Sequence, residues 1–230
     1  MAEDFSIKTF VKRNARTSEK QKQLYEMFRS VYCIDVISQT QALNFCEIFQ
    51  NTNETIIEIG FGSGDATQKI ALENPDKNYI AIDVFKTGVA KLISKIKEHA
   101  ISNIRIIEYD AVEVLHTRVQ DNSVNAFYIF FPDPWPKKRH HKRRLMQVDK
   151  IELMAKKLKP KGIIYFVTDW EPYAISALEA LDSVPVLQNR YCTTETGFAE
   201  KQTWRPQTHF EKKAIDAGRS IFELIFEKRS

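Results

Sequence analysis

Acidic side chains recur in this sequence at the ends of short apolar runs, where a carboxylate is available for chemistry. Such a carboxylate can bind a cationic group, accept hydrogen bonds from hydroxyls or stabilise positive charge that develops during a reaction. The residues placed in this way are Glu58, Asp83, Asp110, Asp133 and Asp169. One acid at such a place means little, but five at corresponding places predict a shared site.

Asp133 lies in the most distinctive stretch of the chain, where an apolar run over 124–131 continues into Pro132-Asp133-Pro134-Trp135-Pro136. Proline has no N–H group and disfavours the helical conformation in the residue before it, so a stiff, extended loop is predicted to leave a buried strand here. Six of the next eight residues, 137–144, are Lys or Arg. A fixed carboxylate and an indole beside a positive patch suit an aromatic ring attached to a polyanion, as in nucleic acid.

Basic runs are often only solvated surface, and proline-rich turns are often only turns. The adjacency of the two favours binding here. A second basic cluster near the N-terminus supports this, because two separated positive patches suit a long polyanion better than a small acid. That cluster comprises Lys8, Lys12, Arg13, Arg16, Lys20 and Lys22.

The elements that must position these residues are short apolar strands alternating with amphipathic helices. Strands are predicted over 55–59, 78–83, 103–109, 124–131 and 162–168, and helices most clearly over 86–100 and from near Arg144 to the breaker Pro160-Lys161-Gly162. This alternation is typical of an α/β fold with a mostly parallel sheet and helices on both faces. Ligands of such sheets bind at the carboxyl ends of the strands, where the acids are predicted to lie.

The loop Glu58-Ile59-Gly60-Phe61-Gly62-Ser63-Gly64-Asp65 follows the first strand and is placed to bind a nucleotide. A glycine turn of this sort is a weak signal by itself. Its acids would repel the pyrophosphate of a dinucleotide, whereas S-adenosylmethionine has no phosphate and carries two cationic groups. Asp83 can accept from both ribose hydroxyls, and Asp110 with Ala111 is placed to meet the adenine. A methyl donor is therefore favoured over a nicotinamide cofactor.

Length and composition narrow the class of protein. A chain of 230 residues with a net charge of +4 can form one sizeable core. The three widely spaced cysteines have no metal-ligand pattern, so neither a metal site nor a disulfide framework is predicted. No apolar run reaches the roughly 20 residues of a membrane span, and the first residues do not resemble a signal peptide. We expect a soluble, cytoplasmic protein.

The chain is predicted to have two parts. Residues 1–37 form a basic N-terminal arm and a flap helix capped by Thr17 or Ser18, and residues 38–230 form the domain that holds the site.

Several of these stretches resemble one family, the bacterial tRNA (guanine-N7-)-methyltransferases, within the class I S-adenosylmethionine-dependent methyltransferases. The resemblance covers most of the chain, and its most specific part is the Pro-Asp-Pro-Trp-Pro-Lys-Lys-Arg-His run. The matching stretches are Phe10-Val11-Lys12-Arg13, Glu58 to Gly64, Pro132 to Arg144, Thr168-Asp169-Trp170 and Arg205 to Glu211. The chain departs from the family pattern at Lys212-Lys213-Ala214 and Gly218-Arg219.

The resemblance implies a Rossmann-like fold and methyl transfer from S-adenosylmethionine to N7 of guanine 46 in the variable loop of tRNA, without an obligatory protein partner. The cofactor-binding residues that it implies are Glu58, Gly60, Gly62, Asp83, Asp110 and Asp133. Asp133 is also the implied catalytic residue. The implied tRNA-binding residues are Lys137, Asp169, Thr208, His209, Phe210 and Glu211.

Guanine N7 carries no proton, so the reaction needs alignment and charge stabilisation rather than a base. Asp133 is the candidate for stabilising the charge, with Asp169 as a second carboxylate for the base. Trp135 or Phe131 is expected either to stack on the base or to pack the loop. His140 and His141 are expected to belong to the phosphate face, Asp65 to cap a helix and Trp204 to have a structural role.

Three other functions remain open from the residues. These are another RNA or small-molecule methyltransferase on the same fold, a non-catalytic tRNA-binding protein, and a nicotinamide oxidoreductase.

Overall fold

A computed structural model of the protein describes residues 7–11, 18–38 and 40–230. Much of the predicted basic arm, residues 1–6 and 12–17 with Lys12, Arg13 and Arg16, lies outside the described residues. The strands are β1 (Glu54–Ile59), β2 (Lys77–Asp83), β3 (Ile104–Glu108), β4 (Val124–Phe130), β5 (Leu158–Thr168), β6 (Leu187–Asn189) and β7 (Phe222–Lys228). The α-helices are α1 (Glu19–Tyr32), α2 (Phe45–Phe49), α3 (Asp65–Glu73), α4 (Lys86–Glu98), α5 (Ala111–Thr117), α6 (Val148–Lys157), α7 (Glu171–Asp182) and α8 (His209–Asp216), with a 3₁₀ helix at Lys138–Arg143.

The strands form one sheet in the order β3-β2-β1-β4-β5-β7-β6. Strands β1 to β5 are parallel to one another, and β7 runs antiparallel to its neighbours β5 and β6. Apolar side chains of α1, α3 and α4 pack on one face, and those of α5, α6 and α7 pack on the other. The predicted α/β sheet is confirmed. Its strand order reverses between β1 and β4, which places the binding crevice at their carboxyl ends.

The region before β5 differs from the prediction. The helix predicted from Arg144 to Pro160 begins at Val148 and ends at Lys157, and Pro160-Lys161-Gly162 belongs to β5. Leu158 pairs with Val124, and the register then jumps to the pair Ala126 and Ile163. The proline thus lies in a bulge, where the ladder requires no N–H donor.

Helix α1 is tied to the first edge of the sheet. Ser18 caps it, as predicted, and the hydroxyl of buried Tyr25 donates to Glu108 at 2.5 Å. Just after the helix, Cys33 forms a parallel bridge with Ile106 on β3, and the N–H of Ile34 donates to the Ile106 carbonyl at 2.8 Å. The predicted flap helix is therefore packed against the domain.

Two classes of feature are absent from the described part of the chain. None of its helices is both long enough and apolar enough to cross a bilayer. Its His, Cys, Asp and Glu side chains form no group that could hold a metal ion.

Candidate active site

The glycine loop after β1 is held against the end of β2 by main-chain hydrogen bonds. The N–H of Gly62 donates to Oδ2 of Asp83 at 2.9 Å, and the N–H of Gly60 donates to the carbonyl of Ile82 at 2.8 Å. Both glycines have positive φ, +79° at Gly60 and +59° at Gly62, a conformation that costs glycine little. Hydrogen bonds within the protein and the left-handed conformation of both glycines therefore set the shape of the loop.

A glycine of α4 completes this loop, and the sequence analysis missed it. A Cβ atom at Gly88 would lie 2.2 Å from the carbonyl oxygen of Gly62, closer than packing allows. The signal in the sequence is a glycine in the first turn of an otherwise amphipathic helix, where alanine would be more stable. Gly88 therefore lets α4 approach the glycine loop.

Asp65 is not the helix cap that the sequence suggested. The N-cap of α3 is Gly64, and Asp65 is the first helical residue, where its carboxylate forms an ion pair with Lys95 and accepts from the Ser63 hydroxyl. A carboxylate in the first turn is favoured by the helix dipole.

Two buried carboxylates lie at the end of β1 and β2. Burial and, to a smaller extent, the charge of Asp83 raise the pKa of Glu58 to about 7, against the lowering effect of the nearby Thr67 hydroxyl. Burial also raises the pKa of Asp83 to about 6, against the lowering effect of N–H donors from Gly62 and Phe85. Among the described residues, neither carboxylate is ion-paired with a Lys or Arg. Cationic or hydroxyl-bearing ligands would therefore bind favourably beside them.

Cavities open where these strands end. One of about 230 Å³ is lined by both loop glycines, Asp83, Asp133 and the arm residues Thr9 and Phe10. A neighbouring cavity of about 510 Å³ is lined by Gly62, Gly88, Phe85, His209 and Phe210. Phe210 contributes to both. These residues, from five separate stretches of the chain, thus meet at the two cavities.

The proline loop that carries Asp133 is extended between two left-handed residues, Phe131 with φ +52° and Trp135 with φ +45°. The Phe131 N–H still donates to the Val167 carbonyl at 2.8 Å, so the loop begins within the sheet. Asp133 lines the cavity beside Phe131 and Asp83. Its position at the mouth of the crevice is the one predicted.

Comparison with known proteins gives the family. A family described as "Putative methyltransferase" matches residues 52–224. A tRNA (guanine-N(7)-)-methyltransferase of Francisella philomiragia is 42% identical over 222 residues, which is 96% of this chain and 95% of the relative. The chain belongs to the tRNA (guanine-N(7)-)-methyltransferase family.

Solved structures share the fold at much lower identity. The aminoglycoside resistance methyltransferase NpmB1 superimposes with a TM-score of 0.55 at 15% identity, covering 80% of this chain and 91% of that chain. A methyltransferase-like protein of Streptococcus mutans, solved in complex with SAH, gives a TM-score of 0.51 at 12% identity, covering 77% and 89%. The sheet is that of the class I methyltransferases.

The family's basic run is divided by the structure into two groups. Lys137, Lys138, Arg139 and Lys142 are exposed. Arg143 and Arg144 instead face the protein. Of the patch predicted to bind a polyanion, only these exposed four side chains are therefore directed to solvent, and their binding of a polyanion stays a prediction.

Arg144 holds the proline loop. It is 2% exposed, its Nε donates to the carbonyl of Pro134 at 2.9 Å, and its guanidinium also donates to the Ser176 hydroxyl at 2.8 Å. A charged side chain at this depth is stable only when its donors are satisfied. The loop that carries Asp133 is thereby fixed from below.

Arg143 and Trp135 hold the described part of the arm. Arg143 donates to the carbonyls of Lys8 and Phe10 at 2.9 and 2.7 Å and lies 4.0 Å above the Trp135 ring. The Trp135 indole N–H donates to the Thr9 carbonyl at 3.1 Å. Of the two expectations for Trp135, the structure shows the packing contact. The described arm residues thus lie beside the smaller cavity, which Thr9 and Phe10 line together with Asp83 and Asp133.

Asp110 faces away from the smaller cavity. Its carboxylate caps α5 by accepting from the Val112 N–H at 3.0 Å and pairs with Lys8 Nζ at 3.1 Å. Its neighbours Tyr109 and Ala111 line the cavity instead. Asp110, predicted to bind the cofactor, is therefore not among the residues that line this cavity.

The last family motif forms the start of α8. Thr208 is the N-cap and accepts from the Glu211 N–H at 3.1 Å, while Phe210 is 58% exposed. Glu211 points inward, with its side chain 1% exposed, and pairs with Arg205.

Asp169 directly follows β5 and forms an ion pair with Arg219 at 2.8 Å. Arg219 is one of the positions where the chain departs from the family pattern. Trp204 packs on Tyr128 with ring centroids 5.3 Å apart, in the structural role expected of it.

Proposed function

We propose that this protein transfers a methyl group from S-adenosylmethionine to N7 of a guanine in tRNA, at position 46 of the variable loop. The observation that carries the proposal is the convergence of the glycine loop, Asp83 and Asp133 at one crevice of a methyltransferase sheet. The exposed basic run begins at Lys137, directly after the proline loop that carries Asp133. It extends to this chain the activity that its relatives' names state. Because the proposed substrate is tRNA, we also propose that the protein is cytoplasmic.

The cofactor side of the crevice fits S-adenosylmethionine. Asp83 presents a buried carboxylate at the end of β2, suited to the two ribose hydroxyls. Glu58 lies near the end of β1 just before the glycine loop, and its raised pKa means that a nearby cationic end of the cofactor would favour its ionised form. Gly60 and Gly62 allow close approach of the main chain. When bound, S-adenosylmethionine supplies an electrophilic methyl group on a sulfonium.

Asp133 is proposed as the catalytic residue. The lone pair of guanine N7 forms the new bond to carbon while the bond from carbon to sulfur breaks with its electrons left on sulfur, so positive charge moves from sulfur to the base. A carboxylate fixed at the crevice mouth stabilises that charge without having to reorganise. No proton has to leave N7 before attack, so no general base is assigned.

The tRNA side is proposed to use the exposed basic run and the start of α8. Lys137 and its exposed neighbours would contact phosphates, while His209 and Phe210 would meet the base or ribose at the cavity edge. The Asp169 carboxylate would accept hydrogen bonds from the N–H groups of guanine once its ion pair with Arg219 has opened. Thr208 and Glu211 would act through the helix that they shape. Residues 1–37 would form the arm and flap helix of the protein, and the described arm residues Thr9 and Phe10 would lie beside the bound cofactor.

Incubation with methyl-labelled S-adenosylmethionine and unmodified tRNA, followed by digestion to nucleosides, tests the proposal. We expect label in 7-methylguanosine and none when guanine 46 is replaced by adenine. Label in another nucleoside would point to another RNA methyltransferase. tRNA binding without any transfer would point to a non-catalytic binding protein.

A further inference from the structure

Helix α8 presents Phe210 and His209 to the cavities beside the glycine loop, yet it has few apolar anchors. Of its eight residues only Glu211 and Ala214 are buried. Helices of this length are held in proteins mainly by packing of an apolar face. Something other than apolar packing must therefore fix the orientation of α8.

A buried ion cluster lies directly beneath it. The side chain of Arg205 is 0% exposed, and its guanidinium nitrogens contact Glu211 at 2.6 and 3.2 Å and Glu223 of β7 at 2.6 Å. Its Nε donates to the Tyr165 hydroxyl of β5 at 3.1 Å. The Tyr165 hydroxyl in turn donates to Glu223. One arginine thus joins the first turn of α8 to two strands.

The charge state of Glu211 supports this role. Burial alone would raise the pKa of Glu211, but its hydrogen bonds with Arg205 and Lys201 outweigh burial and lower that pKa below the ordinary value. The carboxylate is therefore held as an anion with both oxygens occupied. Bidentate pairing with a guanidinium fixes direction as well as distance.

The motif Arg205-Pro206-Gln207-Thr208-His209-Phe210-Glu211 then has two kinds of residue. Arg205 and Glu211 face inward, and Thr208 between them caps the helix. His209 and Phe210 face the cavities. The inward residues determine where the outward residues lie.

We propose that Arg205 is a positioning residue for methyl transfer: its pair with Glu211 orients α8 so that Phe210 and His209 meet the substrate. Glu211 acts through Arg205 and makes no direct contact with tRNA. This inference rests on the proposed function for its kinetic test, and it has a separate structural test that needs no activity.

The structural test is hydrogen exchange of the amides of α8. In Arg205→Met we expect exchange across 209–216 to accelerate at least tenfold while exchange in β1 and β2 stays within twofold of the native rate. Unchanged exchange in α8 would overturn the proposal whether or not the protein methylates tRNA. If Arg205→Met does not fold, Arg205→Lys replaces it, because lysine keeps the charge but cannot bridge both glutamates.

The kinetic test compares Arg205→Met, Glu211→Gln, Phe210→Ala and the double variant Arg205→Met/Phe210→Ala. We expect each single change to raise KM for tRNA at least tenfold and to leave KM for S-adenosylmethionine within threefold. If Arg205 acts by placing Phe210, the double variant is no more than about twofold worse than the worse single variant. Effects that multiply would overturn the proposal.

Leu181→Ala is the matched control for lost stability. Leu181 is fully buried on α7, on the opposite face of the sheet from Tyr165. We expect it to lower Tm without raising KM for tRNA. An equal rise in KM would assign Arg205 a general structural role. A defect in Glu211→Gln without one in Arg205→Met would assign Glu211 a direct contact with tRNA.

Discussion

On the cofactor side of the active site main-chain groups hold the key residues, whereas on the substrate side buried arginines do. Gly62 and Asp83 are joined by a main-chain donor, and α4 approaches the loop through Gly88. Across the crevice, Arg144 holds the proline loop and Arg205 holds α8. Arginines within the family's motifs can therefore hold loops and helices of the protein itself in place.

Asp133 lies between the two sides, so Asp133→Asn gives the largest effect. The amide keeps the shape of the side chain but removes its charge, and we expect the single-turnover rate to fall by about 10²–10³-fold while tRNA affinity changes little. Rates are measured with both substrates saturating. Asp76→Asn, on an exposed loop at the other end of β2, is the control. A parallel loss of S-adenosylmethionine binding would instead make Asp133 a cofactor-holding residue.

Gly88→Ala should disturb the glycine loop and so weaken cofactor binding without changing tRNA binding. The added methyl group would displace the Gly62 carbonyl, and overpacking of about 1–3 kcal/mol predicts a loss of roughly 10- to 100-fold in S-adenosylmethionine affinity. Calorimetry measures it, and tRNA affinity should stay at the native value. Glu98→Ala, on the exposed end of the same helix, should leave both affinities unchanged. Native cofactor affinity in Gly88→Ala would show that the loop adapts.

The exposed and inward-facing basic residues can be separated by salt dependence. Neutralising Lys138, Arg139 and Lys142 together should weaken tRNA binding roughly tenfold and reduce the slope of log affinity against log salt by about 2–3. Arg143→Gln should leave that slope unchanged and free the arm, seen as altered Trp135 fluorescence. Equal changes of slope per residue in the two variants would mean that all four contact phosphate.

The two sides should also respond oppositely to pH. The pKa of Asp83 is raised to about 6 in the folded protein, so the folded state binds its proton more tightly and ligand-free stability falls as pH rises from about 4 to 7. The pKa of Glu211 is lowered, so its stabilisation is present above its ordinary pKa and is lost on acidification.

Denaturation of Asp83→Asn without cofactor checks this smallest effect. Between pH 5 and pH 8 the native protein should lose about 1–2 kcal/mol more unfolding free energy than the variant. Identical pH dependence in the two proteins would mean that Asp83 is not the group responsible.

The sequence predicted the cofactor side better than the substrate side. Strand ends and the glycine loop follow local rules of apolar patterning and φ preference, so the positions of Gly62 and Asp83 were predictable. The direction in which Arg144 or Glu211 points depends on contacts with distant residues, Ser176 and Arg205 among them, and no local pattern encodes it. The predicted end of α6 and the predicted start of β5 were wrong because Pro160 was interpreted as a helix breaker, whereas the bulge in β5 accommodates it.

The bridge between Cys33 and Ile106 has a consequence for the behaviour of the protein at high concentration. An open sheet exposes N–H and C=O groups along its outer strands, and these can recruit strands of other molecules. At β3 the segment after α1 occupies part of that edge, and at the other edge β6 is only three residues long. Loss of the α1 segment would therefore expose a template for edge-to-edge aggregation.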